Sequence, residues 1–180
     1  MRYLIFVSLF FALLVACSSS KNISSGKADS IPFWTSGLMD STKKNDFRLL
    51  LTTPQANITG IFIVKQVNGE WRGTIINEFG IKILDFVSTP KKCTLLNVIS
   101  FIDKWYIKKT MASDIRFIME IDNPNYTVGV KANRQLVGDT LVVSYKKEKE
   151  IRRFPNEEVQ YKNNKRALTY SLKKMYETER

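Results

Sequence analysis

Residues 57–77 read NITGIFIVKQVNGEWRGTIIN, and the fold class follows from them. Two runs rich in β-branched residues flank Asn68-Gly69. That dipeptide suits a two-residue type I′ hairpin, because both turn positions need positive φ. The expectation is a pair of antiparallel strands over residues 57–67 and 70–77. Side chains alternate along a strand, so Ile61 and Ile63 share one face while Phe62 and Val64 share the other. Both faces are apolar at that level. One can sit on a core, and the other needs cover from helices, a second sheet or a ligand. Gly60 and Gly73 interrupt the runs, and glycine inside a strand marks a bulge or sharp curvature.

Outward from this hairpin, DFRLLLTT at 46–53 adds a strand before it and FGIKILDFV at 79–87 a strand after it. The result is an antiparallel meander of four strands. Past Thr89-Pro90-Lys91-Lys92 the apolar period changes. Residues 94–109 carry Leu95, Val98, Ile99, Ile102, Trp105 and Tyr106 on one helical stripe. Thr94 is the expected N-cap, and Lys108 and Lys109 suit the C-terminal end of the dipole. A second short helix is expected over 113–121, capped by Ser113 or Asp114, with Ile115, Ile118 and Met119 inward. Asn123-Pro124-Asn125 is a turn. Strands are then expected at 126–132, at 135–145 with a turn or bulge at Gly138-Asp139, at 150–154 and at 158–162. Residues 166–176 alternate Leu168, Tyr170 and Leu172 against Thr169, Ser171 and Lys173, which fits a strand better than a helix. The fold class is mainly β (α+β), with one domain over 31–180.

The first sixteen residues, MRYLIFVSLFFALLVA, follow the pattern of a signal peptide, a positive start before a short apolar run. The run from Leu4 to Ala16 is too short to cross a hydrocarbon core of about 30 Å at about 1.5 Å per residue. Leu14-Val15-Ala16-Cys17 resembles a bacterial lipobox. The resemblance implies cleavage before Cys17 and acylation there, which would hold the chain to a membrane. One acyl chain alone anchors only marginally, and several anchor firmly. Residues 17–30, rich in serine, would then form a polar tether. Serine and lysine, rather than acidic residues, follow the cysteine, as in lipoproteins kept on the periplasmic face of the outer membrane.

Composition narrows the chemistry. The chain carries 28 Lys and Arg against 17 Asp and Glu, a net charge of +11, and no histidine. Without histidine there is no Ser-His or Cys-His nucleophile pair and no histidine-ligated metal. Cys17 and Cys93 are the two cysteines. An acylated Cys17 leaves Cys93 without a disulfide partner, and a lone half-buried thiol is ordinarily inert packing. Neither Asp103 with Asp114 nor Glu120 with Asp122 makes a convincing catalytic carboxylate pair. Each reads as a solvated helix residue or a cap. No enzyme and no cofactor or metal is expected. The tail from Ser144 to Arg180 holds eleven Lys and Arg against six Asp and Glu, interleaved with aromatics. That pattern can bind single-stranded nucleic acid. Beside a membrane the same charge faces an anionic leaflet instead, and no nucleic-acid partner is expected.

The order of lipobox, linker, four-strand meander, helical pair and strand-rich C-terminal part resembles the LolA/LolB lipoprotein-carrier fold. Residues 60–119 carry most of the likeness, above all GIFIVKQVNGEWRGTIINEFGIKILDF and the helical stretch after it. The resemblance implies a strongly curved antiparallel sheet that forms an incomplete barrel. A helical pair after the fourth strand covers its open side, and an apolar cavity between them holds acyl chains. It also implies an exposed apolar loop that enters the membrane, and no residue here is matched to that loop. Phe47, Ile61, Ile63, Trp71, Ile75 and Ile83 are the candidate lining of the cavity, and each is equally accounted for as plain core. The functional expectation is a lipid-like hydrophobic ligand bound by a membrane-anchored protein. The alternative is a non-catalytic accessory subunit that binds other envelope proteins.

Overall fold

The structure, a computed structural model, describes residues 39–175. The expected signal peptide, Cys17 and the tether lie outside the described residues. Asn68 and Gly69 take φ of 52° and 80°, the left-handed pair that the hairpin demands. Around this turn β2 (Asn57–Val67) and β3 (Glu70–Asn77) pair in register from Val67–Glu70 to Gly60–Asn77. The meander is completed by β1 (Asn45–Thr52) and β4 (Lys82–Ser88), and β5 (Cys93–Leu96) extends it. The C-terminal strands are β6 (Asn133–Val137), β7 (Thr140–Tyr145), β8 (Lys149–Arg153), β9 (Glu158–Asn163) and β10 (Leu168–Lys174). All ten form one antiparallel sheet in the order β5-β4-β3-β2-β1-β10-β9-β8-β7-β6. Pairing of β1 with β10 joins the two meanders. The edge strands β5 and β6 do not pair with each other, so the sheet is not closed.

Cross-strand partners share a face, which defines an inner side. One row runs Phe47, Phe62, Ile75, Leu84, and another runs Leu51, Tyr170, Tyr161, Ile151, Val143. Every one of these side chains is buried. Helix α1 (Trp105–Glu120) packs on this side through Met111, Ile115, Phe117 and Ile118. A short α2 (Thr127–Val130) follows it. Apolar burial at about 25 cal/mol per Å² makes this layer of sheet and helix the main source of stability.

Several expectations are corrected. Residues 93–96 form β5, not the start of a helix, because their backbone completes a ladder with Asp85–Ser88. Asn97, at φ 48°, ends that strand and donates through Nδ2 to Asp85 Oδ2 at 2.8 Å. Helical structure thus follows the fifth strand, beginning with a single 3-10 turn (Ser100–Ile102). Lys108 and Lys109 lie in the first turns of α1, at the opposite end of the dipole from the one expected. The separate helix at 113–121 is the second half of α1, and Asp114 is interior to it and fully buried. Residues 127–130 are helical where a strand was expected. The turn at Gly138-Asp139 does form and splits 135–145 into β6 and β7.

Candidate functional site

A cavity of about 530 Å³ opens between the inner face and the helical stretch. Pockets that take small molecules run about 300–1,000 Å³. The sheet supplies Leu49 and Leu51 from β1, Ile58 from β2, Ile75 from β3, Ile83 from β4, and Leu168 and Tyr170 from β10. The helical side supplies Phe101 and Ile102 from the 3-10 turn and Tyr106, Ile107, Thr110 and Met111 from α1. The β1–β2 turn (residues 53–56) and Arg166, in the β9–β10 turn, complete the wall.

Strand irregularity aims one of these residues. Ile75 pairs with Leu84 but Ile76 pairs with Lys82, so Ile83 is the extra residue of a bulge. A bulge re-aims side chains, and here the consecutive Ile83 and Leu84 are both buried. The Ile83 carbonyl also accepts from the Ile99 N–H at 2.9 Å, which ties the segment before the 3-10 turn to the sheet.

Of the six candidates read from sequence, Ile75 and Ile83 line the cavity. Phe47 and Trp71 are buried on the inner face away from its wall, Phe47 edge-on to Phe62. Ile61 and Ile63 lie on the outer face, because their cross-strand partners are Arg48 and Ile76, and Asp46 and Thr74. The helical residues of the wall are not in that set, since α1 begins eleven residues, about three turns, after the start of the expected helix.

Beyond the wall lies a buried polar cluster. Tyr161 Oη donates to Asp114 Oδ1 at 2.6 Å, Asn163 Nδ2 donates to the same oxygen at 2.8 Å, and Lys149 Nζ lies 3.3 Å from it. Burial raises the Asp114 carboxyl pKa despite these donors, and burial lowers that of Lys149 despite the carboxylate. The Tyr170 hydroxyl is fully buried without a hydrogen-bond partner, and burial beside Asp114 raises its pKa. Asp103 instead pairs with Lys108 on the surface, while Glu120 accepts from Ser88 and Asn123. The carboxylates considered as pairs therefore serve separate partners. Burial pushes the Cys93 thiol up to about 12, so it stays protonated and unreactive at neutral pH.

The turns 53–56, 78–81 and 164–167 lie at one end of the sheet, and the first and last of them contribute to the cavity wall. In the middle one Phe79 is 80% exposed and Ile81 52%. Phe101 and Trp105 are also exposed, at 57% and 73%. The strand expected over 79–87 begins only at Lys82, which leaves Phe79 and Ile81 in the turn. Asn77 holds them out instead, its Oδ1 accepting from the N–H groups of Phe79 and Ile81 at 3.0 and 2.8 Å. Among the described residues no helix is long and apolar enough to cross a membrane. No protein-family model and no curated protein sequence matches the chain.

Proposed function

We propose that this protein is a membrane-anchored lipoprotein, held through acylated Cys17, that binds a hydrophobic ligand between its sheet and its helix. The ligand class is a lipid or a lipoprotein acyl chain, and the setting is trafficking at the periplasmic face of the outer membrane. On this reading the unclosed sheet is the incomplete barrel of a LolA/LolB-like carrier, and α1 covers its open side. The observation that carries the reading is the cavity of about 530 Å³ walled mainly by aliphatic and aromatic side chains. A space of this size and lining suits a lipid-like apolar chain. Native mass spectrometry of the chain purified without detergent tests it. Co-purified lipid, displaced when Thr110 in the wall is replaced by Trp, is the expected result. Repeated spectra of lipid-free protein would count against it.

A second reading, an accessory subunit of an envelope assembly, draws on the exposed Phe79, Ile81, Phe101 and Trp105. Apolar patches of this kind also mark protein interfaces. Lipid-free protein that elutes with a stoichiometric envelope partner, and loses it on Phe79→Ser, would favour that reading.

A further inference from the structure

We infer that the cavity takes a single-chain amphiphile with an anionic head, a carboxylate or a phosphate monoester, and that Arg166 binds the head at the mouth. This rests on the ligand-binding reading above and narrows it. Arg166 is exposed in the turn between β9 and β10, where its backbone N–H is fixed by the Asn163 carbonyl and side-chain oxygen, both at 3.2 Å. It is also part of the cavity wall, two residues before Leu168 and four before the fully buried Tyr170. The wall thus runs from a cation in water to an apolar interior along one strand. Among the described residues no Asp or Glu lines the cavity, and the one formal charge on its wall is positive. The Arg166 guanidinium makes no hydrogen bond or ion pair among the described residues. A planar guanidinium matches carboxylate and phosphate oxygens with two parallel donors.

The neighbouring turn adds to the field. Asn164 donates from its backbone to the Glu148 carbonyl at 2.8 Å and from Nδ2 to the Lys147 carbonyl at 2.9 Å. That joins the β7–β8 turn, where exposed Lys146 and Lys147 outnumber exposed Glu148, to the turn holding Arg166. A neutral lipid would gain nothing from this arrangement, whereas an anionic head would complete it.

The test uses the full chain carrying Cys17→Ser, so that no acyl group of its own competes. A neutral fluorescent probe in the cavity is displaced at pH 8 by three ligands with the same sixteen-carbon chain: hexadecanol, palmitate and the lysophosphatidic acid. At least one anion should bind about fivefold more tightly than the alcohol, the upper end for an exposed charge pair. The better anion identifies the head. Arg166→Lys, which keeps the charge without the paired donors, should keep part of the preference, and Arg166→Gln should lose most of it. Anions no better than the alcohol, or a preference as large in Arg166→Gln as in the parent, would overturn the inference while leaving the cavity reading intact. Failure of all three ligands to displace the probe would overturn both.

Discussion

Tyr161 on β9 and Asp114 on α1 are joined by a 2.6 Å hydrogen bond that is wholly buried and spans 47 residues of sequence. It is the shortest of the polar links between the helix and the C-terminal half of the sheet, beside those of Asn163 and Lys149 to the same carboxylate. Tyr161→Phe removes the donor and leaves a buried carboxylate with one hydrogen-bond partner fewer. The expected cost is about 1.5–3 kcal/mol, the range for hydrogen bonds to charged groups. Urea unfolding followed by circular dichroism measures it, and a midpoint equal to that of the parent would refute this role for the bond.

The same carboxyl makes stability depend on pH. Burial raises the Asp114 pKa above its unfolded value of about 3.9. The folded chain therefore holds that proton more tightly. The stabilisation is fully present below about pH 3.9 and is lost as pH rises through the folded pKa. Asp114→Asn cannot titrate, yet its amide oxygen still accepts from Tyr161. Lys149, already lowered by burial and now without its counter-ion, acts in the same direction. Glu120, also raised by burial, is present in both chains and cancels. The melting temperature of Asp114→Asn should thus gain on that of the parent between pH 4 and pH 7. A gap that stays constant or moves the other way would contradict the assignment.

Gly60 has no room for a side chain. A Cβ there would stand 2.1 Å from the Ile76 carbonyl oxygen, a backbone atom held in the β2–β3 ladder. Gly60→Ala should cost about 1–3 kcal/mol or more as overpacking. At Gly69 the space is open and only the φ of 80° opposes a side chain, which costs about 1–2 kcal/mol. Thermal melts of the two variants should rank Gly60→Ala as the more damaging, and the reverse order would show that the strand yields.

If the cavity exchanges its ligand at a bilayer, the exposed end should touch it. Phe79→Ser with Ile81→Ser should weaken binding to anionic vesicles about tenfold or more, since burying one such side chain contributes about 1.5–3 kcal/mol. The basic surface adds a separate part that fades with salt, because the Debye length shrinks from about 10 Å at 0.1 M to about 3 Å at 1 M. Flotation assays at both salt levels would separate the two parts. Equal binding by the double variant and the parent would remove Phe79 and Ile81 from the contact.

The bounds of β2 and β3 were legible because alternation and Asn68-Gly69 are local signals, and β10 was legible for the same reason. What failed was non-local. The stripe from Leu95 to Tyr106 satisfies a helical period, yet Cys93–Leu96 find more in the edge of β4 than a helix offers. That displaced the helix and hid Ile107, Thr110 and Met111 from the list of cavity residues. Ile75 and Ile83 were within reach, but the side to which Ile61 and Ile63 turn depends on which face the helix covers. Asp114 looked like a cap because its partners lie 35 to 49 residues away, in strands whose pairing the chain order does not announce.

The two ends of α1 are held very differently. At its C-terminal end Arg134 donates to the Ile121 carbonyl at 2.9 Å, Glu120 accepts from Ser88, and Asp122 pairs with the buried Arg153. At its N-terminal end Lys104 offers no side-chain cap, and no acidic residue stands in the first turn. Uncapped backbone and like charge at the positive end of the dipole both favour fraying there. Amide exchange should therefore run fastest over Trp105–Lys108 and slow sharply past Asp114. The rod would then work as a hinged flap, with its rear half bolted to the sheet and its front turns free to lift. Entry of a guest would call for the melting of one helical turn, at a small fraction of the free energy that holds the whole domain together.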